Sequence, residues 1–142
     1  MDMVEEKDAS ENIALLEAYR EQLETLERQS VYIQALITEY TKARITMEQL
    51  SDIKDSIEIL MPIGGGVFVP ALSKDTSKVL FAEGADIVVE KPVDDAVKAL
   101  NKRVEELQKN LVKLDEMAQQ IQQKAQKISS TLQDMFKEEK QE

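Results

Sequence analysis

The chain has 142 residues, of which 32% are charged and only 4% aromatic, and its formal net charge is −10. This acidic balance lacks the basic surface that phosphate backbones and anionic membranes require, so we expect neither a nucleic acid nor a membrane partner. The chain contains no histidine and no cysteine, which removes the commonest acid–base catalyst, thiolate nucleophiles and the usual zinc ligands.

From this inventory we predict a protein that is not an enzyme, with no catalytic residues, no metal and no cofactor. No run of 18 apolar residues occurs, and the acidic first residues lack the apolar segment of a signal peptide. We therefore expect a cytoplasmic protein. Its richness in Ala, Glu, Lys, Leu and Gln is typical of long helices and coiled coils.

Residues 1–56 are predicted to hold the first long helix, which has Asp8 as its N-cap and follows a polar, frayed start of about eight residues. Apolar side chains recur at alternating spacings of three and four residues, which is the heptad repeat of a coiled coil. Ser30 and Arg44 interrupt the repeat; each either fixes the register or the pairing partner, or simply lies where the seam is loose. The helix is expected to fade between Ser51 and Asp55. The seam positions are Leu16, Tyr19, Leu23, Leu26, Ser30, Ile33, Ile37, Tyr40, Arg44 and Met47.

Residues 57–91 break the helical pattern with apolar residues that alternate with the period of a β-strand. All four glycines lie here: Gly64, Gly65 and Gly66 fit one tight turn, and Gly84 fits a second. Four short strands in two hairpins follow from this pattern. Two hairpins are marginal alone and have open edges, so we predict that they pair with other subunits. The residues assigned to subunit assembly are Ile59, Met61, Ile63, Val67, Val69, Val79, Phe81, Ile87 and Val89.

Residues 92–142 are predicted to form a second long helix that ends in a charged tail from Lys137 onward. Neither helix could bury its apolar stripe alone, so we expect the two to pair. The predicted fold class is α+β, a long antiparallel coiled coil with two central β-hairpins. The seam of the second helix is apolar at every position: Val93, Val97, Leu100, Val104, Leu107, Leu111, Leu114, Ala118, Ile121, Ala125, Ile128, Leu132 and Met135.

Two features could carry a binding function. The glycine run could cradle a phosphate, but such a loop needs a lysine and a hydroxyl residue after its glycines, and Val67 and Phe68 follow instead. The far ends of the coiled coil hold more apolar residues than two helices can cover. These residues either form a patch that binds other proteins or belong to ordinary seam packing with frayed ends. They are Ile13, Leu15, Leu16, Tyr19, Ile128, Leu132, Met135 and Phe136.

The order of helix, two hairpins and helix, with the stretch MPIGGGVF at residues 61–68, resembles the α-type subunit of prefoldin. The second segment, from Asp75 through Gly84 to Val89, is similar as well. The resemblance covers the chain from about Asn12 to Phe136. One departure is Asp86, because the family often has a second glycine two residues after the position of Gly84.

The resemblance implies a hexamer of two α-type and four β-type subunits, in which the hairpins form a β-barrel platform and the coiled coils project from it. It also implies an ATP-independent chaperone whose coiled-coil tips hold unfolded client proteins and pass them to a group II chaperonin. The apolar residues at the tips would then bind clients. A function of a different class is a passive coiled-coil scaffold or tether, assembled through the hairpins.

Overall fold

The structure is a computed structural model that describes residues 3–53 and 55–141, with side chains described for 6–53 and 55–139. Two long helices flank two β-hairpins, as predicted. Helix α1 spans Met3–Ser51 and helix α2 spans Val93–Gln141. The strands between them are β1 (Ile57–Gly64), β2 (Val67–Ser73), β3 (Lys78–Gly84) and β4 (Ile87–Pro92).

Both helices are longer than the sequence predicted. Helix α1 already begins at Met3 instead of at the expected N-cap Asp8, and α2 continues to Gln141 through the segment predicted to be a charged tail. Glu, Lys, Gln and Met, which dominate these two segments, are good helix formers, and neither segment contains a Gly or Pro. The end of α1 at Ser51 lies in the predicted range. Met1, Asp2 and Glu142 lie outside the described residues.

The two predicted seams are confirmed. Every seam residue named above is buried or half-buried, whereas most of the residues between them are exposed. Contacts between the helices run in opposite chain directions, because Arg44 donates to Asn101 at 3.3 Å while Arg103 lies over the Tyr40 ring at 5.8 Å. The helices are therefore antiparallel here.

The described residues divide into two compact units. The helix-end unit consists of the residues up to Ala35 together with those from Gln108 onward, and the hairpin unit consists of Leu36–Leu107. In the helix-end unit only Leu26 and Leu132 are nearly fully buried, with 8% and 6% of their surface exposed. The hairpin unit holds the larger cluster, formed by Met47, Phe81, Val93, Ala96 and Leu100.

The two hairpins are separate two-stranded antiparallel sheets, β1–β2 and β3–β4. Each has a register shift just before its turn, between Pro62 and Gly64 in the first and between Ala82 and Gly84 in the second. The first turn has positive φ at Gly65 and Gly66 (62° and 75°). Positive φ at both central residues is the geometry that matches the twist of a hairpin.

The second turn keeps the same geometry without central glycines. Ala85 and Asp86 have φ values of 50° and 62°. Asp86 therefore adopts the positive φ of a hairpin turn even though it is not the glycine that the family often has there. Asp tolerates the left-handed region better than most residues, whereas Ala is strained there. Among the helices described, none has an apolar stretch of the length needed to cross a membrane.

Candidate interaction surfaces

The first hairpin exposes the whole face that the sequence assigned to assembly. Strand pairing places Met61 opposite Val69 and Ile59 opposite Ala71, so these residues share one face. The five residues of this hairpin that were predicted to mediate assembly are all exposed: Ile59, Met61, Ile63, Val67 and Val69. No residue of β1 or β2 is buried within the chain.

The opposite face of the first hairpin is also apolar apart from Glu58, which lies opposite Leu72, and the sequence pattern did not predict it as an interface. Here Leu60 lies opposite Pro70 and Pro62 opposite Phe68, with Leu72 at the end of the strand. All five side chains are exposed. The signal was present, since residues 59–63 and 67–72 are unbroken apolar runs. Such runs, unlike strict alternation, are typical of strands that are covered on both faces.

The second hairpin is anchored on the helices. Only 7% of the Phe81 surface is exposed, and Phe81 belongs to the chain's own core cluster, against which Val79 also packs. The sequence had assigned both residues to contacts with other subunits. The other two predicted assembly residues of this hairpin, Ile87 and Val89, are exposed. On the opposite face Leu80 is the most exposed large apolar residue described, at 76%.

Charged side chains surround the Phe81 ring. The Lys91 ammonium lies 4.7 Å from the ring centroid and the Arg103 guanidinium carbon 4.5 Å from it, both within the range of a cation–π contact. Lys91 also forms an ion pair with Glu83 at 2.7 Å. Its hydrogen bond lowers the pKa of the Glu83 carboxyl below its ordinary value, and the charges of Lys91 and Arg103 act in the same direction.

Hydrogen bonds hold the segment that joins the hairpins against the ends of the helices. The Thr76 hydroxyl donates to the carbonyl of Ile53 at 2.9 Å, and the Val93 amide donates to the carbonyl of Ser77 at 2.9 Å. Asp75 accepts hydrogen bonds from the amide and the hydroxyl of Ser77. These bonds lower the pKa of the Asp75 carboxyl. These contacts hold the segment between the end of β2 and the start of β3 close to Ile53 and to the start of α2.

The eight apolar residues predicted at the helix ends fall into two groups. Ile13, Leu15 and Phe136 are exposed and lie in the helix-end unit. The other five belong to the seam: Leu132 is buried, and Leu16, Tyr19, Ile128 and Met135 are half-buried. The structure therefore leaves three of the eight side chains partly free to contact another molecule, with 42–50% of their surface exposed.

Two kinds of small-ligand site considered from the sequence can be compared with the described residues. Within the part of the chain that the structure describes, no group of three or more Asp or Glu residues could hold a metal ion. The glycine run forms a turn that leads into strand β2 and not into a helix. The hairpin geometry therefore differs from that of a phosphate-binding loop.

Comparison with known proteins identifies related sequences. A family model described as "Prefoldin subunit" matches residues 19–138. The prefoldin subunit alpha of Archaeoglobus fulgidus is 35% identical over 108 residues, which is 76% of this chain and 79% of that protein. Those of Methanococcus aeolicus and Thermofilum pendens are 40% and 44% identical over 66% and 59% of this chain. These last two matches span 63% and 65% of the relatives' own length.

Two solved structures share the fold of this chain. A cryo-EM structure of filamentous PFD from Methanocaldococcus jannaschii aligns with a TM-score of 0.73 over 82% of this chain and 97% of that one, at 20% identity. The crystal structure of the prefoldin beta subunit from Thermococcus strain KS-1 aligns with a TM-score of 0.58 over 89% and 90%, at 19% identity.

Proposed function

This chain belongs to the prefoldin family, and from that premise we propose that it is the α-type subunit of an ATP-independent chaperone that holds unfolded proteins. Membership in the family supports a role as a chaperone co-factor. We further propose that the assembly holds clients, that it has a defined subunit composition and that it passes its clients on.

The proposed assembly contains two α-type and four β-type subunits whose hairpins close into β-barrels. The first hairpin supports this proposal because both of its faces are apolar and exposed in the single chain. Exposed apolar patches of this kind mark surfaces that other proteins cover. Exposed sheet edges are a further reason, since an unpaired edge accepts strands from other chains.

Clients would bind near the start of α1 and the end of α2, and the exposure of Ile13, Leu15 and Phe136 at these positions supports the proposal. Aliphatic and aromatic side chains of this size gain about 1.5–3 kcal/mol when they are fully buried. Ordering the bound segment removes much of that gain. One subunit should therefore bind a client weakly, and several subunits must act together through a high effective concentration.

Weak individual contacts also suit the transfer of a client to a group II chaperonin. A client held by several weak contacts can exchange them one at a time, so release needs no nucleotide hydrolysis. We therefore propose that holding and transfer are independent of ATP.

The test uses the chain assembled with its cognate β-type subunit and guanidinium-denatured citrate synthase as the client. The variant I13S/L15S/F136S removes the three exposed side chains. We expect it to assemble as the wild type does and to suppress aggregation, measured by light scattering without ATP, at least several-fold less well. The control V31S/Y32S changes two other exposed apolar residues of α1 and should protect the client fully.

An undiminished protection by I13S/L15S/F136S would refute client binding at these residues. An equal loss in V31S/Y32S would mean that any exposed apolar residue of the helices contributes, and the site would not be confined to these three.

The passive scaffold is the second candidate function, and one observation favours it. Five of the eight residues predicted to bind clients are used by the chain itself as seam residues. A scaffold predicts that the wild-type assembly forms normally but leaves the aggregation of denatured citrate synthase unchanged. The same light-scattering assay therefore separates the two functions.

A further inference from the structure

Arg103 of α2 contacts both helix α1 and the second hairpin. Its guanidinium carbon lies 4.5 Å from the centroid of the Phe81 ring on β3 and 5.8 Å from that of Tyr40 on α1. Its Nη2 donates to the carbonyl oxygen of Ala82 at 3.1 Å. We propose that Arg103 is a positioning residue that sets the orientation of the second hairpin for assembly with other subunits. This inference rests on the proposed function.

The second hairpin needs two points of attachment to have a fixed direction. Phe81 supplies the first point, because its ring is buried among Met47, Val93 and Leu100. The adjacent strand residues Leu80 and Ala82 are exposed. Val79 also packs against this cluster, and the Val93 amide holds the start of β3 through the Ser77 carbonyl. These contacts hold the base of the hairpin, and the hydrogen bond from Arg103 to the Ala82 carbonyl adds the second point, one residue nearer the turn.

Arginine suits this role because its planar guanidinium stacks on aromatic faces while its edge donates hydrogen bonds. A lysine ammonium is a point charge without a flat face, so it can approach the Phe81 ring or the Ala82 carbonyl but does not stack as it donates. Arg103 follows Leu100 by one helical turn, which places the two side chains as neighbours on α2. Helix α2 thus supplies both a core residue, Leu100, and the arginine that contacts the second hairpin.

Lys91 provides an internal comparison. It is the other cation over the Phe81 ring, at 4.7 Å, but it belongs to β4, and its ion-pair partner Glu83 belongs to β3. Those contacts lie within the hairpin and cannot tie it to the helices. Arg103 makes the link between hairpin and helix, so the two cations should differ in their effect on assembly.

The consequence concerns the residues that the hairpin presents. Leu80 and Val88 lie on the face of the hairpin away from Phe81 and are exposed. If Arg103 fixes the hairpin, these side chains point in one direction before any partner arrives. Pre-organisation of this kind lowers the entropy that association must overcome. Removal of Arg103 should therefore weaken assembly while the helices stay paired.

The experiment compares R103M, R103K and the control K91M. Native mass spectrometry with the cognate β-type subunit gives the chain concentration needed for half-assembly, and circular dichroism gives the helix content of each variant. We expect R103M to need at least about tenfold more chain, R103K to fall between R103M and the wild type, and K91M to stay within about twofold of the wild type.

A spectroscopic measurement tests directly whether the Arg103 guanidinium lies over the two rings. Ring currents of Phe81 and Tyr40 should shift the side-chain N–H resonance of Arg103 upfield in the wild-type chain, and F81L should move it back towards its ordinary position. This measurement needs no assembly, so it tests the Arg103 contacts independently of the proposed function. The proposed function itself fails if the wild-type assembly does not protect a denatured client.

Three results would overturn the proposal: assembly of R103M or R103K at the wild-type concentration, a loss in K91M as large as that in R103M, or an Arg103 resonance that F81L leaves unchanged. R103K keeps the charge and the aliphatic part of the side chain. Its assembly concentration therefore tests the role of the guanidinium even if R103M loses helix content.

Discussion

At the residue scale, Arg44 shows what a polar residue does on an otherwise apolar seam. Its Nη1 donates to the side chain of Asn101 at 3.3 Å, and its Nε lies 3.9 Å from a carboxylate oxygen of Glu48. The Nε atom itself is buried without a hydrogen-bond partner. Of the two interpretations that the sequence left open, the contact with Asn101 favours a role in matching one helix to the other.

This arrangement predicts opposite effects for one and two substitutions. N101L should lower the free energy of unfolding by about 0.5–1.5 kcal/mol, because it removes the hydrogen bond that the half-buried guanidinium makes to the other helix. R44L/N101L replaces the whole polar layer with apolar side chains and should be neutral or stabilising. Urea unfolding followed by circular dichroism measures both. A double variant less stable than N101L would contradict the explanation.

At the element scale, the helices and strands were readable from the sequence, whereas the use of each strand face was not. The unbroken heptad from Val93 to Met135 and the glycines of the first turn specify local structure directly. The burial of Phe81 depends on Arg103 and Leu100, which come later in the chain and carry no local signal for β3. Likewise, the alternation of β1 predicted one assembly face, although Leu60 and Phe68 make its other face apolar as well.

The first hairpin therefore predicts that charges on either face disrupt assembly. V67D/V89D places carboxylates on the face chosen from the sequence, and L60D/L72D places them on the opposite face of the first hairpin. Burying an unpaired carboxylate is strongly unfavourable, so both variants should show a reduced mass by multi-angle light scattering.

A matched control is V31D/Y32D, which introduces the same charges on α1 in the helix-end unit. Its mass should equal that of the wild-type assembly. If L60D/L72D also keeps the wild-type mass, the second face of the hairpin is not covered by other subunits.

At the scale of the whole molecule, the residues proposed for assembly and those proposed for client binding lie in different parts of the chain. The hairpins and their core cluster lie entirely within Leu36–Leu107, whereas the exposed residues Ile13, Leu15 and Phe136 belong to the helix-end unit. A chain lacking residues 1–20 and 128–142 should therefore still enter the assembly but lose its share of client binding.

If the assembly contains two α-type subunits as proposed, mixing trimmed and full-length chains will give assemblies with none, one or two intact α-type subunits. Different tags on the two chains allow each assembly to be purified. Because linked weak sites multiply their affinities through effective concentration, trimming one α-type subunit should shorten the client's residence time by more than half, and trimming both should shorten it by a further factor at least as large. Surface-immobilised denatured citrate synthase provides the dissociation rate. If the residence time falls in simple proportion to the number of intact α-type subunits, each subunit binds its client independently. That result would contradict the proposal that several subunits hold one client together.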